Sequence, residues 1–395
     1  MSEQWTRREM LIRSAAGLVA VGIPESVWAL QDNEEVMNFT DYTDQFKIEF
    51  SQKGPRVRCF DLRTLTSWTT PNEQFYAFAQ GESQQVDPAK WRLRVAGFVN
   101  KPMEFTLDDL KKRADKREEA VTLECSGNST RPNRMAGLLS NAVWSGVGLA
   151  SILKECGVKP EAREVVFFGA DMETEAKPAA GGKEFTTPHG RSMYIQDALD
   201  TEAFVAFNMN GKALPADQGA PLRLIRPGWY GMTQVKWLSL IYVLDRRYEG
   251  QHMVRNYLSL RSIETAQGQV WLDTSISKTR LKSVVARVTK RKSGTGSDYR
   301  ISGPAWGGET PITKVEVKID DGPWRPATID DKRGKYAWLL WSINWPNPTP
   351  GPHKLVSRAI DANGKVQPTP EELAKEIGSG RENNSQWPRS ITITA

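Results

Sequence analysis

Apolar and polar positions alternate clearly in only a few stretches of the chain, and these stretches set out its organisation. Trp91-Arg92-Leu93-Arg94-Val95-Ala96-Gly97 has the two-residue period of a half-buried strand and ends on glycine. Thr106-Leu107-Asp108-Asp109-Leu110 predicts a helix start, with Thr106 as cap and Asp109 at the capping-box position. Ala120–Glu124 reads as a short strand that runs straight into Cys125-Ser126-Gly127-Asn128. Leu149, Ile152, Leu153 and Cys156 fall on one face of a helix over roughly 148–156. Val165–Gly169 is a buried strand followed by Asp171. Leu222–Arg226 stops at Pro227-Gly228, and Val235-Lys236-Trp237-Leu238 opens an apolar run to Val243. No regular βα alternation appears, which predicts an α+β first domain over 30–274.

Beyond Thr274 the helical period fades. Short strands are expected at Val284–Val288, Tyr299–Gly303, Lys314–Ile319, Tyr336–Trp341 and Lys354–Ile360. Asp320-Asp321-Gly322-Pro323 and Asp361-Ala362-Asn363-Gly364 are turn signals between them. This spacing predicts an all-β, immunoglobulin-like sandwich over 275–395. Pro368–Pro388 is polar and reads as a long surface loop. The 30–71 stretch has no strong period.

Composition narrows the chemistry. A chain of 395 residues has room for two domains of roughly 100–200 residues each. Its 14 tryptophans, 31 glycines and 23 prolines favour a loop-rich, strand-containing fold over a helical bundle. There are three cysteines (Cys59, Cys125, Cys156) and three histidines (His189, His252, His353), and no Cys-x-x-Cys. Zinc ribbons, iron–sulfur clusters and c-type haem attachment are therefore excluded, and no histidine pair has i, i+4 spacing. The net charge of +6 is scattered, with Lys111-Lys112-Arg113 soon followed by Glu118-Glu119. This predicts a solvated basic surface and no nucleic-acid groove.

The N-terminus adds a compartment. Arg7-Arg8 precedes Met10-Leu11, a small-residue apolar stretch covers 14–23, and Val27-Trp28-Ala29 resembles a cleavage motif. The apolar stretch is about half of a membrane span. Residues 1–29 are expected to be a twin-arginine signal peptide, giving a periplasmic protein without a membrane span after its removal.

Among the cysteines, Cys125 leaves a hydrophobic strand and enters a sharp turn, which presents its side chain at a sheet end. It can be a soft metal ligand, a nucleophile or an inert buried thiol, and its local sequence leaves all three open. Cys156 belongs to the core by its helix spacing.

Several motifs in fixed order then resemble a known family. They are Glu124-Cys125-Ser126-Gly127-Asn128, Val143–Val147, Phe207–Gly211, Ala220–Leu224, Pro227–Gly231, Val235–Leu238 and, in the second domain, Ile301–Trp306 with Val315–Trp324. Over about residues 60–390 the chain resembles the sulfite oxidase family of mononuclear molybdenum enzymes, most closely its sulfite and sulfane dehydrogenase branch. The resemblance implies a molybdenum–molybdopterin cofactor, one per chain and without haem, which brings most of its own ligands. It implies Cys125 as the molybdenum ligand and Tyr257 as the active-site tyrosine. Cofactor contacts would come from the backbone around Tyr76 and Phe78, from Asn128, Asp171 and Gln218, and from Arg223 and Gln234-Val235-Lys236. Arg223 and Lys236 suit the phosphate that ends the pterin. Gln218 stands where the family often has histidine. A homodimer and an external acceptor, a c-type cytochrome, are also implied.

The departures concern substrate. Sulfite-oxidising members surround the oxyanion with arginines, whereas this chain has Phe78, Thr130 and the arginine-free turn Trp306–Thr310 at the corresponding places. Each charged hydrogen bond contributes about 1.5–3 kcal/mol, so losing three would weaken sulfite binding by orders of magnitude. Either Arg131, Arg134 or another cation refills the pocket, or the substrate differs. The expected activity is two-electron oxo transfer of the sulfite dehydrogenase type. The alternatives are the same cofactor acting on another sulfur compound or oxyanion, a reductase, or a non-catalytic exported β-sandwich binding protein.

Overall fold

The computed structural model describes residues 28, 30, 34–41, 50–51, 54–55, 57–79, 84–128, 137–177, 181–200, 202–293, 296–307 and 310–394. Thr130, Arg131, Arg134 and the signal segment apart from Trp28 lie outside the described residues.

The first half is built on two sheets. One has five strands in the order Lys183–Tyr194, Glu164–Lys177, Leu240–Leu244, Arg92–Gly97 and Met103–Thr106. Only the contact between Leu240–Leu244 and Arg92–Gly97 is parallel. The other sheet orders Lys212–Ala213, Phe204–Met209, Leu139–Gly148 and Lys116–Glu124, and Arg223–Ile225 pairs with Phe204–Met209 as well. The helix Leu149–Cys156 ends at Gly157 in the left-handed conformation. It packs Leu149, Ile152, Leu153 and Cys156 into one core with Leu93, Val95 and Val165 of the first sheet and Val147, Val205 and Leu224 of the second. The expected cap forms at Leu107–Lys112, where Thr106 and Asp109 exchange reciprocal hydrogen bonds.

Two further sheets share a second core. One runs Glu34–Val36, Arg287–Ser293, Gly296–Trp306, Leu339–Pro346 and Thr328–Lys332, with Lys282–Ser283 paired to Gly296–Trp306. The other runs Arg325–Pro326, Ile312–Ile319, Gly351–Asp361 and Arg389–Ile393. All their pairings are antiparallel. Val288, Ile301, Trp341, Val315, Val317, Leu355 and Ile391 fill the space between them, making a sandwich. The strand expected at Tyr336–Trp341 begins later, at Leu339, because Tyr336 bridges to Val121 of the first half.

A tryptophan-rich seam joins the halves and accounts for much of the unusual tryptophan count. Trp28, Trp68, Trp306, Trp338 and Trp387 cluster with Phe60, Leu65, Leu139 and Leu340. Trp68 and Trp338 each donate the indole N–H to the other's carbonyl, at 3.2 and 2.8 Å. Trp28 is 1% exposed, donates to Asp330 at 3.1 Å and accepts from Arg287 at 2.7 Å.

Two expectations change. Residues 34–36 join the sandwich sheet, so a cut at 274/275 does not separate the halves cleanly. The 368–388 segment is not a surface loop. It contains the helix Pro370–Glu376, and Glu382, Asn384, Ser385, Gln386 and Trp387 are all buried. Their polarity misleads because their partners are distant: Glu382 pairs with Arg261, its N–H donates to Ser126, and Asn384 donates to Leu281.

Among the described residues, the most buried ion pair across the seam joins Glu124 and Lys282, 3.0 Å apart with both side chains almost fully buried. Lys282→Met should leave the Glu124 carboxylate unpaired and cost about 3–5 kcal/mol, read from the denaturant midpoint. Adding Glu124→Leu to that variant should recover much of the loss. An unchanged midpoint in the single variant would refute the importance of the pair.

Candidate active site

A cleft opens in the first half, lined by residues from seven separate segments. Cys125 sits where the Lys116–Glu124 strand ends, 8% exposed and in no disulfide. Its turn is held by Cys125 N–H donating to Leu138 at 3.0 Å and Asn128 N–H donating back to Cys125 at 2.8 Å. Beneath it the Glu124 carboxylate accepts from Asn128 Nδ2 at 3.0 Å, Lys282 Nζ at 3.0 Å and Trp306 Nε1 at 2.8 Å.

Around Cys125 the cleft is walled by Phe75–Ala79, Asp171, His189, Gln218, Arg223, Gln234-Val235-Lys236 and Tyr257. All the expected site residues therefore meet in one cleft except Asn128, which braces the turn from below. Arg223 donates to Gln218 O and Oε1 at 3.1 and 3.0 Å and to Gln234 O at 3.2 Å, and its guanidinium lies 4.8 Å above the Trp144 ring. Lys236 Nζ donates to Phe78 O and Asp217 O, both at 3.1 Å. Gln218 donates to Tyr76 O at 3.0 Å. The Gln234 side chain is spent on Arg226 and Trp229, and its backbone N–H donates to Gly231 O at 3.1 Å.

Two glycines permit this closeness. Gly219 has φ +95° and a Cβ there would lie 2.7 Å from Lys236 Cβ. A side chain at Gly231 would collide with the Tyr76 hydroxyl.

The cleft's cations are paired with dipoles more than with full charges. Burial lowers Arg223 to about 10. Burial, helped by the Arg223 charge, lowers Lys236 to about 8. Burial raises Asp171 against the pull of His189, and it raises Tyr76 with help from Cys125. Among the described residues, buried Asp171 Oδ1 and Arg223 Nε have no hydrogen-bond partner. The wall thus offers an unsatisfied acceptor and an unsatisfied donor beside two buried cations and a thiol. That donor set fits a group with N–H donors, a phosphate and a thiol-seeking metal.

The sequence reading missed three neighbours. Arg381, from the segment expected to be a surface loop, lies with its guanidinium 4.7 Å from the Tyr257 ring centroid. Arg191 stands 5.9 Å from the same ring, and His189 lines the cleft. None is adjacent to the family motifs, so no local signal points to them.

Comparison with known proteins decides the class. Residues 80–252 match the model of the oxidoreductase molybdopterin-binding domain, and 273–393 match the Mo-co oxidoreductase dimerisation domain. The chain belongs to the molybdopterin oxidoreductases of the sulfite oxidase family. It is an enzyme class whose cofactor is molybdenum–molybdopterin. The chain is 31% identical over 345 residues to an NADH nitrate reductase of Solanum lycopersicum, covering 79% of this chain and 37% of that protein. It is likewise 31% identical to an NAD(P)H nitrate reductase of Hordeum vulgare, covering 69% and 34%. It thus spans about a third of the length of these curated relatives. The sulfane dehydrogenase SoxCD from Paracoccus pantotrophus shares the fold, with TM-score 0.73, 24% identity and 90% of each chain covered.

In this molybdopterin oxidoreductase, Arg223 and Lys236 would hold the cofactor's phosphate and Asp171 would accept from its pterin. Lys236 is charged below about pH 8 and neutral above it. Cofactor affinity during reconstitution should fall as pH rises through 8, followed by molybdenum and pterin content. Lys236→Met should bind more weakly and lose that pH step. A step that persists in the variant would exclude Lys236 as its source.

Proposed function

We propose that this protein carries out two-electron oxo transfer on a small oxyanion, with sulfite as the substrate of first choice. When bound, the cofactor supplies a molybdenum centre able to exchange an oxygen atom and two electrons. The chain's own part is to hold that centre through the Cys125 thiolate and to receive the anion beside Tyr257.

The observation that carries this reading is Arg381 over Tyr257. Phe78 stands where sulfite-oxidising members carry arginine, but a cation from the far end of the chain stacks on Tyr257, a residue of the cleft wall. Among the described residues Arg381 makes no ion pair, and its guanidinium meets the Tyr257 ring. Lys236 adds positive potential from the cleft wall, and Arg191 lies 5.9 Å from the Tyr257 ring. Tyr257 can donate its hydroxyl to the same oxyanion, so a small anion would meet both charge and a directed donor. For sulfite, the balance is sulfite plus water giving sulfate, two protons and two electrons. The electrons would pass to an external carrier, a c-type cytochrome.

A second reading has its own support. The curated relatives at 31% identity are named nitrate reductases, which favours a reductive direction on a different oxyanion.

We further propose a homodimer formed through the sandwich, on the match to a dimerisation domain. Periplasmic export by the twin-arginine route is proposed from Arg7-Arg8 and the apolar stretch that follows. A cut ahead of Trp28 would keep that buried residue in the seam. No helix among the described residues is long and apolar enough to cross a membrane.

Steady-state assays separate these readings. Sulfite with cytochrome c should saturate at micromolar substrate, and Arg381→Met should raise KM about 10-fold or more while changing kcat less. Turnover of nitrate with a reduced dye, without sulfite activity, would move the assignment to the reductase. Absence of both would sink the oxyanion reading. Cys125→Ser should keep the fold and the pterin yet lose turnover at least about a thousand-fold; unchanged turnover would remove Cys125 from the site.

A further inference from the structure

The sequence has only three histidines, and the fold brings two of them onto one carboxylate. His189 Nδ1 lies 3.1 Å from Glu173 Oε1, and His252 Nε2 lies 2.8 Å from Glu173 Oε2. The imidazole centroids are 4.4 Å apart, and one donor atom from each residue falls within 4.8 Å of the other two. The three side chains come from separate elements. Glu173 is on the Glu164–Lys177 strand just past the register break between Phe168 and Met172, His189 is on the facing strand, and His252 is on the short helix Gln251–Val254.

This constellation is absent from the family motifs that mark the cleft, and the proposed oxo-transfer reading does not use it. Two imidazoles and a carboxylate, largely withdrawn from solvent, are the donor set of a borderline divalent cation. Metal–ligand bonds of about 2.0–2.1 Å need donors no more than about 4.2 Å apart, so side-chain rotations of under about 1 Å would close the set. Burial opposes ionisation of Glu173, yet hydrogen bonds from His189 and His252 outweigh it and hold the carboxyl at about 2. The carboxylate is therefore charged throughout the physiological range. His252 Nδ1 faces the Asn256 side-chain amide at 3.4 Å. Turned over, that amide would present its oxygen to an Nδ1–H, the outer partner that a metal-bound imidazole uses to fix its tautomer.

We propose that Glu173, His189 and His252 form a second metal site, separate from the Cys125 centre, that takes one zinc-like divalent cation with water completing its coordination. The site would tie the hairpin, with its Asp171, to the helix that precedes Tyr257. His252 packs 5.7 Å from the Tyr257 ring and His189 lines the cleft wall. A cation there would rigidify that wall without taking part in electron transfer.

The test uses the full-length holoenzyme, stripped with a chelator and titrated with Zn(II), or with Co(II) as a spectroscopic stand-in. One equivalent per chain should bind with Kd of about 1 µM or tighter, and Co(II) should develop the visible bands of a low-symmetry, four- or five-coordinate site. Glu173→Gln and His252→Gln should each weaken binding at least about 100-fold while molybdenum content stays the same. X-ray absorption of the zinc-loaded wild type should show N/O ligands with two imidazoles. This last measurement decides the matter even where a variant fails to fold. No stoichiometric uptake, a zinc shell without imidazole, or folded variants that bind as tightly as wild type would each overturn the assignment. Because none of these readouts is enzymatic, failure here leaves the oxyanion reading untouched, and the reverse also holds.

Discussion

The buried pair between Glu124 and Lys282 is the constraint on which the cleft depends. Glu124 immediately precedes Cys125, so fixing its carboxylate fixes the turn that carries the thiol. Each of its partners comes from somewhere different. Asn128 closes the turn itself, while Lys282 and Trp306 belong to the sandwich. Lys282 also donates to Asn383 O at 2.7 Å, which draws in the segment that carries Arg381. Burying two charges is costly, and an apolar pair of similar volume would serve stability as well or better. What the ion pair adds is direction: a carboxylate with three donors accepts only one arrangement of the three segments around it. The thiol and the cation over Tyr257 are thus placed by the same cluster, although 256 positions separate Cys125 from Arg381.

This dependence explains what the sequence could and could not reveal. Local signals were legible: the alternating strand at 92–97, the capping box at Thr106 and Asp109, and the helix face ending at Cys156. The strand-to-turn position of Cys125 was legible too, as were the ordered motifs that carry Arg223 and Lys236 to the same cleft. Features built from distant partners were not. Residues 382–386 carry Glu, Asn, Ser and Gln, a composition that reads as solvated loop. Their hydrogen bonds run to Ser126, Arg261, Leu281 and Gln367, which no periodicity can announce. The meeting of His189 with His252 is hidden for the same reason, since 63 positions and a strand pairing stand between them. Asn128 marks the opposite limit. It lies in a family motif and holds the turn rather than lining the cleft.

The electrostatics of the cleft follow from how its cations are held. Arg223 and Lys236 meet mainly carbonyl oxygens, and burial pulls both below their ordinary values. Partial charges offset the desolvation of a full charge only in part, so the two side chains are stabilised less than they would be by carboxylates. An anionic group entering the cleft therefore gains twice, from attraction in a medium of low effective dielectric and from restoring the cations' preference for charge. A carboxylate in the wall would cancel that gain, and the one acid that lines the cleft among the described residues, Asp171, is itself raised by burial. The cleft is thus preorganised for anions before any ligand arrives. The same logic separates the holding of a cofactor from the choice of substrate. The deep cations Arg223 and Lys236 would hold the pterin's phosphate, while half-buried Arg381 comes over Tyr257 from the segment that packs against the sandwich. Substrate choice would then lie with a half-buried residue brought in from a distant segment, where sequence motifs carry little information.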